Sequence, residues 1–391
     1  MKYNFDKVID RSGTSAEKVE GLKHIWGRTD LIPLWVADMD FATAPFVTDA
    51  IRKRCENEVL GYTGKPDSYY NAIINWVKQR YDLIVTKEVI NFVPGIVPGI
   101  GMAMNCFTQK GDKVMIQPPV YHPFAWVTTR NERTLVINPL RWENGMYRMD
   151  LDAFREQIKG CKLFILCNPH NPGGVVWTEA ELRAIADICY DEKVLVFSDE
   201  IHADLTFPPH THRPFATVSE KARMNSVTFM SPSKAFNMPG LSASHALIFN
   251  EDLRKRFRIY MDAGELDMGH VFAFLSVEAA YSHGTEWLDQ CLAYIQGNID
   301  FVDEFLKKHA PKIKAIRPEA SYLVWLDCRE LELSQKDLNE FFVDKAHLAL
   351  NDGEMFGKEG IGFMRLNVAS PRCIIEKAMK QLADAYQLYI K

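Results

Sequence analysis

The sequence has no strong excess of either charge: 46 Lys and Arg stand against 51 Asp and Glu in 391 residues, a formal net charge of −5. The small acidic surplus is spread without runs, which leaves no electrostatic footprint for a nucleic acid or an anionic membrane. No apolar run reaches the roughly 18 residues that a membrane span needs, and the opening, MKYNFDKVIDRSG, is too polar for a secretory signal. These absences favour a cytoplasmic enzyme with a small-molecule substrate. There is no C-x-x-C pair either. The eight cysteines (Cys55, Cys106, Cys161, Cys167, Cys189, Cys291, Cys328 and Cys373) are scattered, and buried reduced thiols are the expectation. Internal repeats and low-complexity linkers are missing, so a chain of this length reads as two or three packed units.

From about Lys87 onward, short apolar runs alternate with longer segments of helical period. The runs are KVMIQ, RTLVI, KLFILC, KVLVFSDE, SVTFM and ASHALIF. Several lack strict polar alternation, as expected of parallel strands covered on both faces. Thr178 and Glu181 form a capping box that opens a helix through about Asp191, between KLFILC and VLVFSD. Strand, helix, strand is the parallel βαβ signature. After about Thr285 the texture changes to one long amphipathic stretch, followed by YLVWLDC and GFMRLNVA as strands. The division expected is a large α/β unit over residues 41–284 and a smaller α+β unit over 285–391, with residues 1–40 packing on the smaller one.

In open parallel sheets, ligands sit beyond the carboxyl ends of the strands. The polar residues at those ends are Asn168 and Asn171 in CNPHNPGG, Asp199 and His202 in SDEIHADL, and Ser231, Ser233 and Lys234 in MSPSKAF. Singly each has a plain explanation: NPHNPGG is a run of turn formers, and a strand-end lysine is usually solvated. In VPGIVPGIGMAMNCF, Pro98 suits the first turn of a helix reaching about Phe107, which would leave the N–H groups of Ile96 and Val97 free for a phosphate. QPPVYHPF mounts Tyr121 behind two prolines. Phosphate donors, an aromatic plate, an asparagine, a carboxylate and a lysine together meet the needs of pyridoxal 5'-phosphate.

The motifs LWVADMDF, GYTG, PGIVPGI, PPVYHPF, NPHNPGG, SDEIHADL and SPSKAFN stand in an order that resembles the fold-type I pyridoxal-phosphate enzymes of the class I/II aminotransferase group. Within that group the chain is most similar to the cystathionine β-lyase (C–S lyase) branch of the MalY and PatB type, over nearly its whole length. That resemblance implies a mostly parallel central sheet flanked by helices, plus the smaller α+β unit. It also implies roles: Lys234 would hold the cofactor as its Schiff base, Asp199 would pair with the pyridine nitrogen, Asn171 with the phenolic oxygen, and Tyr121 would stack on the ring. Ile96, Val97, Ser231 and Ser233 would hold the phosphate, joined by Tyr62 from the second subunit of a homodimer. Arg365 would bind the substrate α-carboxylate, and Ala37 would line the substrate. Tyr121 or Lys234 would protonate the departing sulfur.

Two departures separate the chain from many aminotransferases: Ser242 stands where they have a phosphate-binding arginine, and His202 where they have a tyrosine. Both favour α,β-elimination from an S-substituted amino acid, giving a thiol, pyruvate and ammonia, over transamination, which is the alternative. A remoter alternative is a metal-dependent hydrolase built on Asp199, Glu200, His202, His210 and His212; FPPHTHRPF reads more simply as a proline-rich loop with solvated histidines. Trp35, Met39, Tyr121 and residues 262–272 are candidates for walling the distal half of the substrate.

Overall fold

The computed structural model describes residues 2–389. Its framework is a seven-stranded sheet made of β1 (Ile90–Val93), β2 (Lys113–Ile116), β3 (Thr134–Ile137), β4 (Cys161–Cys167), β5 (Leu195–Asp199), β6 (Ser226–Met230) and β7 (Ser244–Leu247). In space the order is β1-β7-β6-β5-β4-β2-β3. The pairings from β6 across to β3 are parallel, while β7 runs antiparallel to both β1 and β6. The six apolar runs expected as strands are strands; β1, from the run INFV, joins them. Strands β1, β6 and β7 are buried along their whole length, β4 and β5 nearly so, and the edge strand β3 is not. That is the burial expected where helices cover both faces of a sheet.

Helix α1 (Ile96–Phe107) follows β1 directly, and helix α2 (Glu179–Asp191) links β4 to β5. The capping box on α2 is formed in both directions: the Thr178 hydroxyl accepts from the Glu181 N–H, and the Glu181 carboxylate accepts from the Thr178 N–H. Past Gly284, helix α3 (Thr285–His309) buries one stripe, Trp287, Leu288, Cys291, Ile295, Asn298, Ile299, Val302 and Leu306, at the three-to-four spacing of a single helical face. A second sheet follows, of β8 (Lys314–Ile316), β9 (Leu323–Asp327), β10 (Asn351–Asp352) and β11 (Phe363–Asn367), in the order β8-β9-β11-β10 and antiparallel throughout. Helix α4 (Arg372–Tyr389) packs against α3.

The amino-terminal segment is tied to this carboxyl-terminal region. Ile32 and Pro33 pair in parallel with Leu348 and Ala349, and the Asn367 N–H donates to the Leu34 carbonyl at 2.9 Å. Among the described residues no helix is long and apolar enough to cross a membrane. All eight cysteines are free; Cys55 and Cys373 are exposed, not buried as the scatter along the sequence suggested, because each lies at an end of a surface helix and turns outward.

Candidate active site

The parallel strands deliver their carboxyl ends to one edge of the sheet. β1 ends at Val93 and passes through Pro94 and Gly95 into α1; β4 ends at Cys167, ahead of Asn168 and Asn171; β5 ends on Asp199; β6 is followed by Ser231 to Lys234. The reversed strand β7 begins where the others end, so it brings Ser242, Ala243 and Ser244 to the same edge. Cys167 lies opposite Asp199 in the ladder, and Asp199 opposite Phe229. Together these termini enclose a cavity of about 210 Å³, whose lining includes Ala37, Ile96, Val97, Tyr121, Asn171, Asp199, His202, Ser233 and Lys234.

The N-terminal turn of α1 forms one wall. As its first residues, Ile96 and Val97 have backbone N–H groups with no intrahelical acceptor. No acidic side chain stands in that turn, and the N-cap Gly95 offers no side-chain oxygen to cap it. Gly95 adopts φ 154° and ψ 161°, a combination open mainly to glycine, and a Cβ there would meet Pro98 Cδ at 3.3 Å. The turn is therefore a bare anion cradle beside the Ser233, Ser242 and Ser244 hydroxyls.

Lys234 Nζ donates to the Ala37 carbonyl at 2.5 Å. Burial pulls its amine down to about 8, partly offset by the negative charge of Asp38, while Arg365 lowers it further. Asp199 is pushed up to about 7 by burial, and Glu200 adds to the rise; its carboxylate accepts from the Ile201 N–H at 3.1 Å, with Lys234 a more distant cation. A buried carboxylate with so little compensation calls for a cationic partner above it. His202 is held down to about 3, first by burial and then by the charges of Lys234 and Arg365, so it stands as a neutral imidazole. Burial likewise raises the Tyr121 phenol, and it remains protonated.

Arg365, on β11, is 3% exposed, and its guanidinium donates to three neutral oxygens: the Asn171 side chain, the Trp35 carbonyl and the Asn351 side chain. Its Nε has no partner. Burial draws it down to about 10, so it keeps its charge at neutral pH, and the site holds a buried cation whose hydrogen-bonded neighbours include no anion.

Several of the residues singled out from the sequence stand elsewhere. Tyr62 is 98% exposed, in a segment outside regular structure. Ser231 sits behind the wall, its hydroxyl 2.9 Å from that of Ser233 and 2.8 Å from the Ala243 carbonyl. Met39 is buried in the core with its N–H on Asn237, while Asp262 and Asp267 line a separate hollow with Lys65 and Arg258. The proposed metal ligands are split. Asp199 and His202 line the cavity, His210 is exposed near Glu319, and His212 is not solvated but buried against Glu200 at 2.8 Å. Glu200 also takes the Ser198 hydroxyl and the Phe215 N–H, so its oxygens are engaged away from the cavity. Among the described residues no three His, Cys, Asp or Glu side chains converge on a point that could hold a metal ion.

Sequence reasoning missed the frame around residues 35–38. Asn367 donates to the carbonyls of Val36 and Asp38, and Tyr322 donates to that of Ala37. Arg11 and the fully buried Lys18 clamp the Asp38 and Asp40 carboxylates. A signal for Asn367 was present, since it lies two residues after Arg365 and so on the same strand face. Nothing local marks Tyr322.

The aminotransferase class I and II family model matches residues 29–382. The cystathionine beta-lyase PatB of Bacillus subtilis (strain 168) is 38% identical over 384 residues, covering 98% of this chain and 99% of that protein. Among solved structures, cystalysin from Treponema denticola, described as containing a pyridoxal 5'-phosphate cofactor, superposes with a TM-score of 0.96 at 33% identity and full coverage of both chains. The PLP-bound C-S lyase from Staphylococcus hominis gives 0.90 at 35% identity, with 98% of each chain covered. Matched by the family model across all but its two ends and by these relatives across nearly its full length, the chain belongs to the aminotransferase class I and II family.

Proposed function

We propose that the protein is a pyridoxal 5'-phosphate-dependent C–S β-lyase that releases a thiol, pyruvate and ammonia from cystathionine or related S-substituted cysteines. The observation that carries this reading is the charge arrangement of one cavity. An amine drawn down to about 8 and a carboxylate without a bonded cation share it with a helix N-terminus lacking an anion, and a buried arginine without an anion binds its Asn171 wall. The residues present fit the cofactor: Lys234 supplies the amine for its aldehyde, Asp199 a partner for its ring nitrogen, and Asn171 and His202 polar groups for its phenolic oxygen. Ile96, Val97, Ser233 and Ser242 would hold the phosphate, with Ser231 orienting Ser233, and Tyr121 would offer its ring as an apolar wall.

Pyridoxal 5'-phosphate supplies an aldehyde that condenses with amines and a ring that accepts the electron pair of the broken Cα–H bond. The chain does the rest. Arg365 fixes the α-carboxylate of the substrate through charge-assisted hydrogen bonds. Lys234 Nζ, partly unprotonated near neutral pH, takes the α-proton, and holding it beside Cβ places an acid near the departing sulfur. Tyr121, protonated throughout, is the second candidate acid. Ser242, neutral where a cation would bind phosphate more firmly, accords with the lyase reading.

We further assign residues 41–284 to a large unit, and 285–391 with 1–40 to a smaller one. The exposure of Tyr62 supports a homodimer in which it reaches the phosphate of the partner's site. A cytoplasmic setting accords with the eight free thiols. Borohydride reduction of the loaded protein, followed by peptide mass spectrometry, should place the reduced cofactor on Lys234; label on another lysine refutes the site. Elimination is distinguished from amino transfer by pyruvate release from cystathionine without a 2-oxo acid.

A further inference from the structure

Residues 35–38 bend past the cavity, which Ala37 lines, and each of their four carbonyls is taken by a side chain. Trp35 accepts from Arg365, Val36 and Asp38 accept from Asn367, and Ala37 accepts from both Lys234 Nζ and the Tyr322 hydroxyl, the latter at 3.0 Å. Tyr322 is fully buried just before β9, and Ala37 is the only acceptor within hydrogen-bond reach of its hydroxyl among the described residues. The Ala37 carbonyl is likewise the hydrogen-bond acceptor of the Lys234 amine. We propose that Tyr322 is a positioning residue: by holding the Ala37 carbonyl, it fixes the rest position of the Lys234 amine whenever that amine is free of the cofactor. The proposal rests on the functional reading only for its importance to turnover, since the contact itself involves this chain alone.

Burial holds the Tyr322 phenol well above its ordinary range, so it acts as a neutral donor at every working pH. The other charged or titratable groups facing the amine are Asp38, Asp199, His202 and Arg365; of these His202 meets the Tyr322 ring edge-on and Arg365 feels its phenol, and Tyr322→Phe keeps both the ring and the net charge. Without the hydroxyl the carbonyl is free to turn away, the ammonium loses part of its acceptor, and the neutral amine is favoured.

The test is the pH dependence of acetic anhydride labelling at Lys234 in the cofactor-free full chain, read by peptide mass spectrometry with exposed Lys336 as internal reference. For Tyr322→Phe the Lys234 midpoint is expected to fall by roughly half a unit relative to the unsubstituted chain. The loaded variant should show about a tenfold lower kcat, a KM within twofold, and a larger primary isotope effect with α-deuterated substrate. Tyr322→Leu, which also lacks the hydroxyl, should move the midpoint in the same direction. A midpoint that stays or rises in both variants overturns the proposal. Failure of borohydride to trap cofactor on Lys234 would instead overturn the functional reading, and leaves the labelling result to stand separately.

Discussion

At the scale of single residues, the site places five ionisable groups, Lys234, Asp199, His202, Tyr121 and Arg365, where their ordinary solvation is lost. Asp199 has an ordinary value of 3.8 when unfolded and about 7 when folded. Between those values the unfolded chain is the more ionised, so the cofactor-free protein loses stability as pH rises from about 4 to 7 and keeps that loss above it. Asp199→Asn removes the loss. The cofactor-free variant should melt a few degrees higher than the parent at pH 8, with little difference at pH 4, by calorimetry. The same variant, once loaded, should turn over at least about a hundredfold more slowly, because a neutral amide cannot keep the ring nitrogen protonated. Arg365→Lys keeps the charge but not the planar fork. It should raise KM for an amino-acid substrate by about tenfold or more, with a smaller fall in kcat, measured by steady-state kinetics.

At the scale of elements, much was readable because each functional residue sits at a strand end that also carries a local mark. KLFILC ends before NPHNPGG, VLVFSD contains its own carboxylate, and SVTFM runs into SPSKAF. What could not be read was direction and distance. No local pattern says that Ser244–Leu247 runs antiparallel, yet that reversal brings Ser242 and Ser244 to the cavity and leaves Ser231 behind Ser233. Tyr322 and Ala37 are 285 positions apart, and the clamp of Arg11 and Lys18 on Asp38 and Asp40 is equally invisible before folding. His212 was misread because proline-rich surroundings suggested solvent, whereas Glu200 draws it inside. The junction of β1 and α1 gives an element-scale prediction. Gly95→Ala puts a Cβ at a backbone conformation that side chains rarely adopt and against Pro98, so cofactor affinity should fall by about tenfold or more in a fluorescence titration, with Lys234 still trappable at saturating cofactor.

At the scale of the whole molecule, two sheets and the amino-terminal segment meet around one cavity. β5 and β6 bring Asp199 and Lys234, β11 sets Arg365 behind the Asn171 wall, and residues 35–38 bridge them through backbone carbonyls. The proposed homodimer adds Tyr62. Mixing inactive Lys234→Ala chains with Tyr62→Phe chains should yield hybrid dimers with one intact site, and activity above that of either variant alone; no gain at any mixing ratio would count against a shared site. The central claim is chemical, and one assay addresses it directly. The loaded protein is given L-cystathionine with no 2-oxo acid, and products are followed over time. The account predicts pyruvate, ammonia and thiol in equal amounts, continuing through many turnovers. Turnover that stops without pyruvate and resumes only when a 2-oxo acid is added, with that acid converted to its amino acid, would contradict it.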